Sequence, residues 1–156
     1  MPKHSAGLLL YRRRKDTLDV FLVHPGGPFW KNKDAHAWSI PKGEFDPETE
    51  DALAAARREF AEETGQTAPT APDPHPLEPV RTSRKINYAF AQPADFEPTD
   101  LRSNSFSLEW PPRSGQHQDF PEVDAAAWFA LPDAYDKILE SQRPLLDQLT
   151  RLLSES

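Results

Sequence analysis

The chain has 156 residues and a formal net charge of −7; this length suits one domain with a substantial core, which we expect over 1–156. The acidic balance argues against a protein that binds nucleic-acid polymers through its overall charge, because such binding depends on cations that neutralise phosphates. The sequence contains no cysteine, which excludes disulfides, thiol nucleophiles and thiolate metal sites.

Two strands are predicted near the start. "AGLLLYRRR" (6–14) and "LDVFLVHP" (18–25) are apolar, partly β-branched runs separated by the charged turn "KDT". The first run is too short for a signal peptide and no other segment could span a bilayer, so we expect a cytoplasmic protein without membrane association. The stretch "PGGPFWKNKDAHA" (25–37) predicts a long loop that leads into a short strand, "WSIP" (38–41).

The clearest helix is predicted over "DALAAARREFAEETG" (51–65), with Asp51 as its N-cap and Gly65 at its C-terminus. The proline-rich stretch "TAPTAPDPHPLEP" (67–79) is interpreted as a surface connection to the next strand, "VRTSRKINYAFAQ" (80–92).

No helix or strand is predicted in the stretch "DLRSNSFSLEWPPRSGQHQDFPEV" (100–123), whereas "DAAAWFAL" (124–131) predicts the final strand. The chain closes with "SQRPLLDQLTRLLSES" (141–156), a predicted helix. Its apolar stripe is expected to pack on the core and consists of Leu145, Leu149, Leu152 and Leu153.

The helix at 51–65 concentrates negative charge. A rotation of about 100° per residue places Glu59, Glu62 and Glu63 within an arc of roughly 100°. Like charges three or four residues apart destabilise a helix by about 0.2 to 0.5 kcal/mol per pair. A hard divalent cation such as Mg²⁺, which prefers carboxylate oxygens, would offset this cost; the alternative is a solvated acidic face balanced by Arg57 and Arg58.

The helix and the residues before it resemble the Nudix box, whose pattern is G-x5-E-x7-R-E-U-x-E-E-x-G-U with U apolar. "GEFDPETEDALAAARREFAEETG" matches it at eight positions, namely Gly43, Glu50, Arg58, Glu59, Phe60, Glu62, Glu63 and Gly65. One extra residue separates Gly43 from Glu50, and Gln66 occupies the final apolar place. The extra residue lies in a loop and leaves the helical register from Glu50 onward intact.

The resemblance implies an α/β protein, specifically an α/β/α sandwich around a mixed β-sheet. It also implies a metal-dependent hydrolase of nucleoside diphosphates linked to another group, with a small phosphoanhydride as substrate. Glu59 and Glu63 would be the principal Mg²⁺ ligands, Glu62 would bind an additional ion, and the Gly43 carbonyl is a ligand in some family members; Mn²⁺ is a possible substitute. Arg58 and Glu50 would orient these carboxylates.

The family often places another acidic residue on a loop near the last strand, as general base or metal ligand. Glu122 stands six residues before Trp128, a spacing that resembles the corresponding region of dinucleoside polyphosphate hydrolases. We therefore prefer Glu122 to Asp124, and Glu109 is a further candidate. An exposed loop carboxylate without a role remains the alternative for Glu122.

The tripeptide "PKG" (41–43) before the box resembles diadenosine polyphosphate and diphosphoinositol polyphosphate hydrolases, so Lys42 is predicted to contact a phosphate. Phe29 and Trp30 are candidates for stacking a base; the alternative is that both rings cover the core beneath a loop. Further candidate phosphate contacts, each of which could instead be a solvated surface charge, are His4, Arg81, Lys85 and Arg113.

The substrate that these features favour is a dinucleoside polyphosphate. Hydrolysis of NTPs, ADP-ribose or nucleotide sugars is the first alternative, and a non-catalytic Nudix-like ligand-binding or interaction module is the second. The oligomeric state cannot be derived from the sequence.

Overall fold

A computed structural model of the protein describes residues 2–70, 72–98 and 101–154; the predicted domain over 1–156 and the predicted closing helix each include residues outside these ranges. The strands are β1 (Lys3–Arg14), β2 (Thr17–Pro25), β3 (Lys42–Phe45), β4 (His75–Pro76), β5 (Val80–Arg81), β6 (Lys85–Pro93), β7 (Ser105–Glu109), β8 (His117–Pro121) and β9 (Val123–Ala130). The helices are α1 (Ala52–Thr64), α2 (Leu131–Lys137) and α3 (Arg143–Ser154), and a short 3-10 turn spans Glu140–Gln142.

Strand β1 lies at the centre of the main sheet. It runs parallel to β6 on one side, and on the other side it runs antiparallel to β3 over its first half and to β2 over its last residues. Strand β9 pairs with β2, and the short strands β4 and β5 pair with β6. The parallel β1–β6 pair among antiparallel pairs makes the sheet mixed, as predicted.

Strands β1 and β2 separate toward one end of the sheet. They pair over residues 11–14 of β1; beyond this point β1 pairs with β3, whereas Val23 of β2 forms an isolated bridge with Ser39. The chain from Ser39 to Lys42 therefore enters between the two strands. The candidate site described below lies at this opening.

Apolar clusters cover both faces of the main sheet. On one face Leu8, Leu10 and Phe21 pack with Ala56 and Phe60 of α1. On the other face the sheet packs with α2 and α3 through a second cluster that includes Leu9, Val20, Leu22, Ile138, Leu145, Leu146 and Leu149, with Leu152 and Leu153 against it. These two layers of helices confirm the predicted α/β/α sandwich, and the apolar stripe of the closing helix is confirmed as core packing.

Helix α1 has the predicted caps. The Asp51 side chain accepts a hydrogen bond from the Ala54 N–H at 3.1 Å. Gly65 adopts a left-handed conformation with φ 78° and donates its N–H to the Ala61 carbonyl, a conformation that glycine tolerates better than other residues. These caps fix the helical register of the box glutamates.

The predicted strand at 38–41 is wrong. Ser39 exchanges two backbone hydrogen bonds with Val23, at 2.8 and 2.9 Å, but the pairing does not continue, because the Ile40 N–H donates to the Gln142 side chain and Pro41 has no N–H to donate. The strand forms at Lys42–Phe45 instead.

The prediction of one strand over 80–92 is wrong in its first part. The Thr82 N–H donates to the Lys85 carbonyl at 2.9 Å and closes a tight turn, so that β5 folds back on β6. The predicted connection at 67–79 contains β4. The stretch that received no element contains β7 and β8, which form a separate two-stranded sheet. Within the described ranges, no helix has the length and apolar character needed to cross a membrane.

Candidate active site

Arg58 binds three glutamates, one that precedes α1 and two within it. Its Nε and Nη2 each donate to one carboxylate oxygen of Glu50 at 2.9 Å, so this pair is bidentate. Its Nη1 donates to Glu59 at 2.9 Å and to Glu62 at 3.1 Å. A guanidinium fork fixes the orientation of the carboxylates it holds, and here it also offsets the repulsion between glutamates on one helix face.

Gly43 leaves room for the Glu59 carboxylate. A Cβ atom at position 43 would lie 2.0 Å from Cδ of Glu59, so any side chain there would displace the carboxylate. Gly43 is held in place by its pairing with Ala6 of β1, and Glu59 is only 8% exposed. The contact explains why a glycine stands here, while a role of its carbonyl as a metal ligand stays a prediction.

Glu63 points toward β3. Its Oε1 accepts a hydrogen bond from the backbone N–H of Lys42 at 3.1 Å. Helix α1 therefore presents Glu59 and Glu62 to Arg58, and Glu63 to the opening between the strands.

Backbone hydrogen bonds place Glu122 beside the end of α1. The Glu62 carbonyl accepts from the Asn104 N–H at 2.8 Å, and the Asn104 carbonyl accepts from the Glu122 N–H at 2.7 Å. The Glu122 carbonyl accepts in turn from the Gly26 N–H at 2.9 Å. The last carbonyls of a helix have no partner within the helix; here one of them anchors the segment that carries Glu122.

The two alternatives to Glu122 lie elsewhere. The Asp124 carboxylate is 2.7 Å from Nδ1 of His24, whose Nε2 is 2.6 Å from the Lys33 carbonyl. Glu109 is at the end of β7, where it pairs with His117, and its carboxylate accepts the N–H of Arg113. Of the three carboxylates, Glu122 is the one that lines a cavity together with Glu63.

Burial and mutual repulsion raise the pKa values of the clustered carboxyl groups. Burial raises the pKa of Glu63 to about 8, and the charges of Glu59 and Glu122 add to the increase. The hydrogen bond from the Lys42 N–H lowers this pKa but does not offset the burial. Burial and then the charge of Glu62 raise the pKa of Glu59 and of Glu122. The carboxylates are therefore close enough to repel one another, and a cation among them would relieve this repulsion.

Two adjoining cavities open at Glu63 and Glu122. The inner cavity has a volume of about 170 Å³ and is also lined by Lys42 and Ser39. The outer cavity has a volume of about 500 Å³ and is also lined by Phe29, Phe106 and Leu108. Both are lined by Pro25 and Trp30, so the predicted Lys42, Phe29 and Trp30 all lie at the carboxylate cluster.

Lys42 lies near further cations on the same face of the sheet. Lys42 pairs with Gly7 and Lys85 pairs with Lys3, and residues four apart along β1 share a face. Burial lowers the pKa of Lys42, and the charge of Lys85 lowers it further. Lys85 also lines a groove of about 760 Å³ whose other cationic residues are Lys3, Arg81 and Arg84.

His4 and Arg113 line neither cavity. The His4 ring stacks on Tyr88, with Nδ1 3.1 Å from the Tyr88 hydroxyl, and lines a groove with Phe45. Arg113 lies in the turn between β7 and β8, where its φ is 63°. A role of either residue as a phosphate contact stays a prediction.

Phe106 and Leu108 are cavity residues that sequence reasoning missed. They belong to "SFSLEW", where apolar residues alternate with polar ones, and "PPRSG" follows directly. Alternation of period two before a Pro- and Gly-containing turn is the signal of a β-hairpin. This signal was sufficient to predict the strand, although not its contact with the loop at 26–30.

The donor set at the cluster fits a hard divalent ion. The available ligands are carboxylate oxygens, which Mg²⁺ and Mn²⁺ prefer, and their mutual repulsion favours a cation. Across residues 2–70, 72–98 and 101–154, no three Asp, Glu or His side chains are arranged as a metal site, because Arg58 holds Glu59 and Glu62 while Glu63 turns toward β3.

A family model and a curated protein match this chain. The NUDIX domain family model matches residues 1–149. The RNA pyrophosphohydrolase of Caulobacter vibrioides is 39% identical over 61 residues, which are 36% of this chain and 35% of that protein; the match thus spans about a third of the curated relative.

Two solved structures share the fold. The Caenorhabditis elegans Ap4A hydrolase, solved as a binary complex, aligns with a TM-score of 0.65 at 21% identity and covers 99% of both chains. The NUDIX domain of Shewanella oneidensis NrtR, solved with ADP ribose, aligns with a TM-score of 0.66 at 17% identity and covers 98% of this chain and 89% of that one. With the family model matching nearly the whole chain, the protein belongs to the Nudix family.

Proposed function

We propose that this protein is a Mg²⁺-dependent pyrophosphohydrolase, with Mn²⁺ as a substitute, that cleaves a nucleoside diphosphate linked to another group. The observation that carries the proposal is that Glu63 and Glu122 line one cavity with Lys42. On the same helix as Glu63, Glu59 and Glu62 are held by Arg58, and Glu59 lies against Gly43. We assign this activity to one domain over 1–156. The name of the RNA pyrophosphohydrolase from Caulobacter vibrioides supports the reaction class, and the match covers 35% of that protein.

Glu59, Glu62 and Glu63 are the residues that would hold the metal, with the Gly43 carbonyl as a further ligand. Such an ion would offset the negative charge of the diphosphate oxygens during cleavage. Arg58 acts as a positioning residue, because its fork joins Glu50 to Glu59 and Glu62 and so fixes the direction in which these carboxylates point.

Glu122 is the candidate general base. Its carboxylate lines both cavities, its backbone is fixed on both sides by hydrogen bonds, and burial with the charge of Glu62 raises its pKa. A carboxylate whose pKa is raised toward the working pH is a better proton acceptor for an attacking water.

The proposed substrate is a dinucleoside polyphosphate. Lys42 and the neighbouring Lys85 and Arg81 are cations beyond the carboxylate cluster, where they could neutralise phosphates that the metal does not hold. Phe29 and Trp30 supply aromatic surface for a base at the same cluster. His4 and Arg113 stay further candidate phosphate contacts, although they line neither these cavities nor the groove at Lys85.

A hydrolysis screen with product identification tests the proposal. The substrates are a dinucleoside tetraphosphate, an NTP, ADP-ribose, a nucleotide sugar, a diphosphoinositol and a short 5′-triphosphorylated RNA, each with Mg²⁺ and with EDTA. We expect metal-dependent cleavage, with the highest kcat/KM for the dinucleoside tetraphosphate. A higher value for ADP-ribose or a nucleotide sugar would overturn the substrate, and tight binding without cleavage would indicate a non-catalytic ligand-binding module.

A further inference from the structure

The β7–β8 hairpin has one apolar face. In β7 and the residue that follows it, half-buried and exposed residues alternate. The half-buried ones are Phe106, Leu108 and Trp110, and the exposed ones are Ser105, Ser107 and Glu109. Phe106 pairs with Phe120 across the hairpin, and the two ring centroids are 6.0 Å apart. Because side chains alternate across a strand, this pattern directs the apolar residues of the hairpin to one side.

The loop at 26–30 packs against this apolar face. A Cβ atom at Gly27, whose φ is 98°, would lie 2.9 Å from the Phe106 ring, so the loop approaches the hairpin at a glycine. The Phe29 ring meets the Trp110 ring edge-on at a centroid distance of 5.5 Å. Phe29 nevertheless remains 62% exposed, and because it lies beside the half-buried rings of Trp110 and Phe106, the exposed apolar surface continues into the hairpin.

The outer cavity of about 500 Å³, between the loop and the hairpin, has two chemically different kinds of lining. Its uncharged lining consists of Pro25, Gly26, Phe29, Trp30, Phe106 and Leu108, and from here on we call it the hairpin cleft. Its charged lining consists of Glu63 and Glu122. Lys33 lies over one face of the Trp30 ring, with Nζ 5.3 Å from the centroid, which leaves the other face as the one that can border the cleft.

The position of the cleft determines what portion of a ligand it can receive. Glu63 and Glu122 line both the inner cavity and the hairpin cleft. A diphosphate held at these two glutamates would therefore place its attached group at the hairpin cleft. A flat heterocycle suits aromatic and aliphatic walls, and the volume lies in the range of small-ligand pockets, about 300 to 1,000 Å³.

We propose that the hairpin cleft binds the nucleobase of the substrate, with Phe29 and Leu108 in contact with the base and Trp110 positioning Phe29. This inference rests on the proposed function for the location of the diphosphate, and it extends that function by assigning base recognition to the hairpin. The protein then discriminates nucleotides from phosphoanhydrides that carry no base.

A binding experiment tests the cleft without any hydrolysis. AMP and ribose 5-phosphate share a sugar and a phosphate and differ in the base, and their binding to the full chain is measured by NMR titration in EDTA. Stacking of a base on an aromatic side chain contributes about 1 to 3 kcal/mol, so at 1.4 kcal/mol per tenfold we expect Kd for AMP to be about 5- to 150-fold lower than for ribose 5-phosphate. Equal Kd values would overturn the proposal.

Two variants and a control locate the binding. Phe29→Ala and Leu108→Ala should raise Kd for AMP by about tenfold, with Kd for ribose 5-phosphate unchanged. Ser107→Ala, on the polar face of the same strand, should leave both unchanged. Phe29 is exposed, so its variant decides the question even if Leu108→Ala does not fold. Unchanged AMP binding in Phe29→Ala, or a change in oligomeric state as its only effect, would assign Phe29 to another surface.

A hydrolysis experiment separates the cleft from the proposed function. With Mg²⁺, both cleft variants should lose about tenfold in kcat/KM on a dinucleoside tetraphosphate through a higher KM, with kcat nearly unchanged. A loss of the same size in kcat with an unchanged KM would overturn the cleft and leave the hydrolase intact. Base-dependent binding of AMP in a protein that cleaves nothing would overturn the hydrolase and leave the cleft intact.

Discussion

Replacing Glu63 by glutamine removes a carboxyl group whose pKa burial raises to about 8, while it keeps an oxygen that can accept the Lys42 N–H. Between pH 4.5, the ordinary pKa of the group, and pH 8, the folded protein holds a proton that the unfolded chain has lost. The stabilisation from this proton is complete below about pH 4.5 and is lost as the pH rises through 8. Glutamine resembles the protonated form at every pH.

The size of the effect follows from the pKa change. A change from 4.5 to about 8 corresponds to roughly 4 to 5 kcal/mol at 1.36 kcal/mol per pH unit. Solvent reaches part of the side chain and reduces this figure, so we expect about 2 to 3 kcal/mol. In EDTA, Glu63→Gln should therefore unfold with a higher free energy than the wild type at pH 8.5, and with a similar one at pH 4.5.

Urea unfolding followed by tryptophan fluorescence measures this difference at both pH values. Glu50→Gln is the matched control, because hydrogen bonds from Arg58 lower the pKa of Glu50; that carboxylate stabilises the fold above its ordinary pKa, and its loss should destabilise the protein at pH 8.5. With Mg²⁺ present the order of wild type and Glu63→Gln should reverse, since a bound ion stabilises the folded state by mass action. A Glu63→Gln protein that is less stable than wild type at pH 8.5 in EDTA would refute the reasoning.

Three other substitutions test the site. Gly43→Ala should lower Mg²⁺ affinity by about 10- to 100-fold in thermal-shift titrations, because the new Cβ displaces Glu59; unchanged affinity would contradict this. Lys42→Ala should lower kcat/KM about tenfold more on a dinucleoside tetraphosphate than on ADP-ribose, and equal losses would make Lys42 structural. Glu122→Gln should lower kcat by about 10²-fold or more whereas Asp124→Asn retains near wild-type kcat; the opposite order in steady-state assays would exchange their roles.

Helix α1 and its surroundings could be predicted because their causes are local. An N-cap at Asp51, a left-handed Gly65 and a helical rotation between them are enough to place the box glutamates on one face. Strands β1, β2 and β9 and the closing helix follow equally from apolar period and length. The helical register of the candidate metal ligands is thus a property of 15 consecutive residues.

The parts that sequence reasoning missed depend on contacts between distant segments. "WSIP" has the composition of a strand, but the Ile40 N–H donates its hydrogen bond to the Gln142 side chain, about a hundred residues later. Phe106 and Leu108 face the cavity because a glycine lets the loop at 26–30 approach the hairpin. Neither partner can be identified from the local sequence, since tertiary pairing overrides local propensity.

The same helix supplies both the charges of the site and the support for the rest of it. The side chain of Glu62 binds Arg58, while its backbone carbonyl holds Asn104 and, through it, Glu122. Glu122 also holds Gly26, at the start of the loop that carries Phe29. The links from Glu62 to Gly26 are backbone hydrogen bonds, so none of them depends on the identity of Phe29, Phe106 or Leu108 in the cleft. Substitutions at those three positions can therefore change base preference while these links still hold the candidate general base, which is how one scaffold can accommodate different substrates.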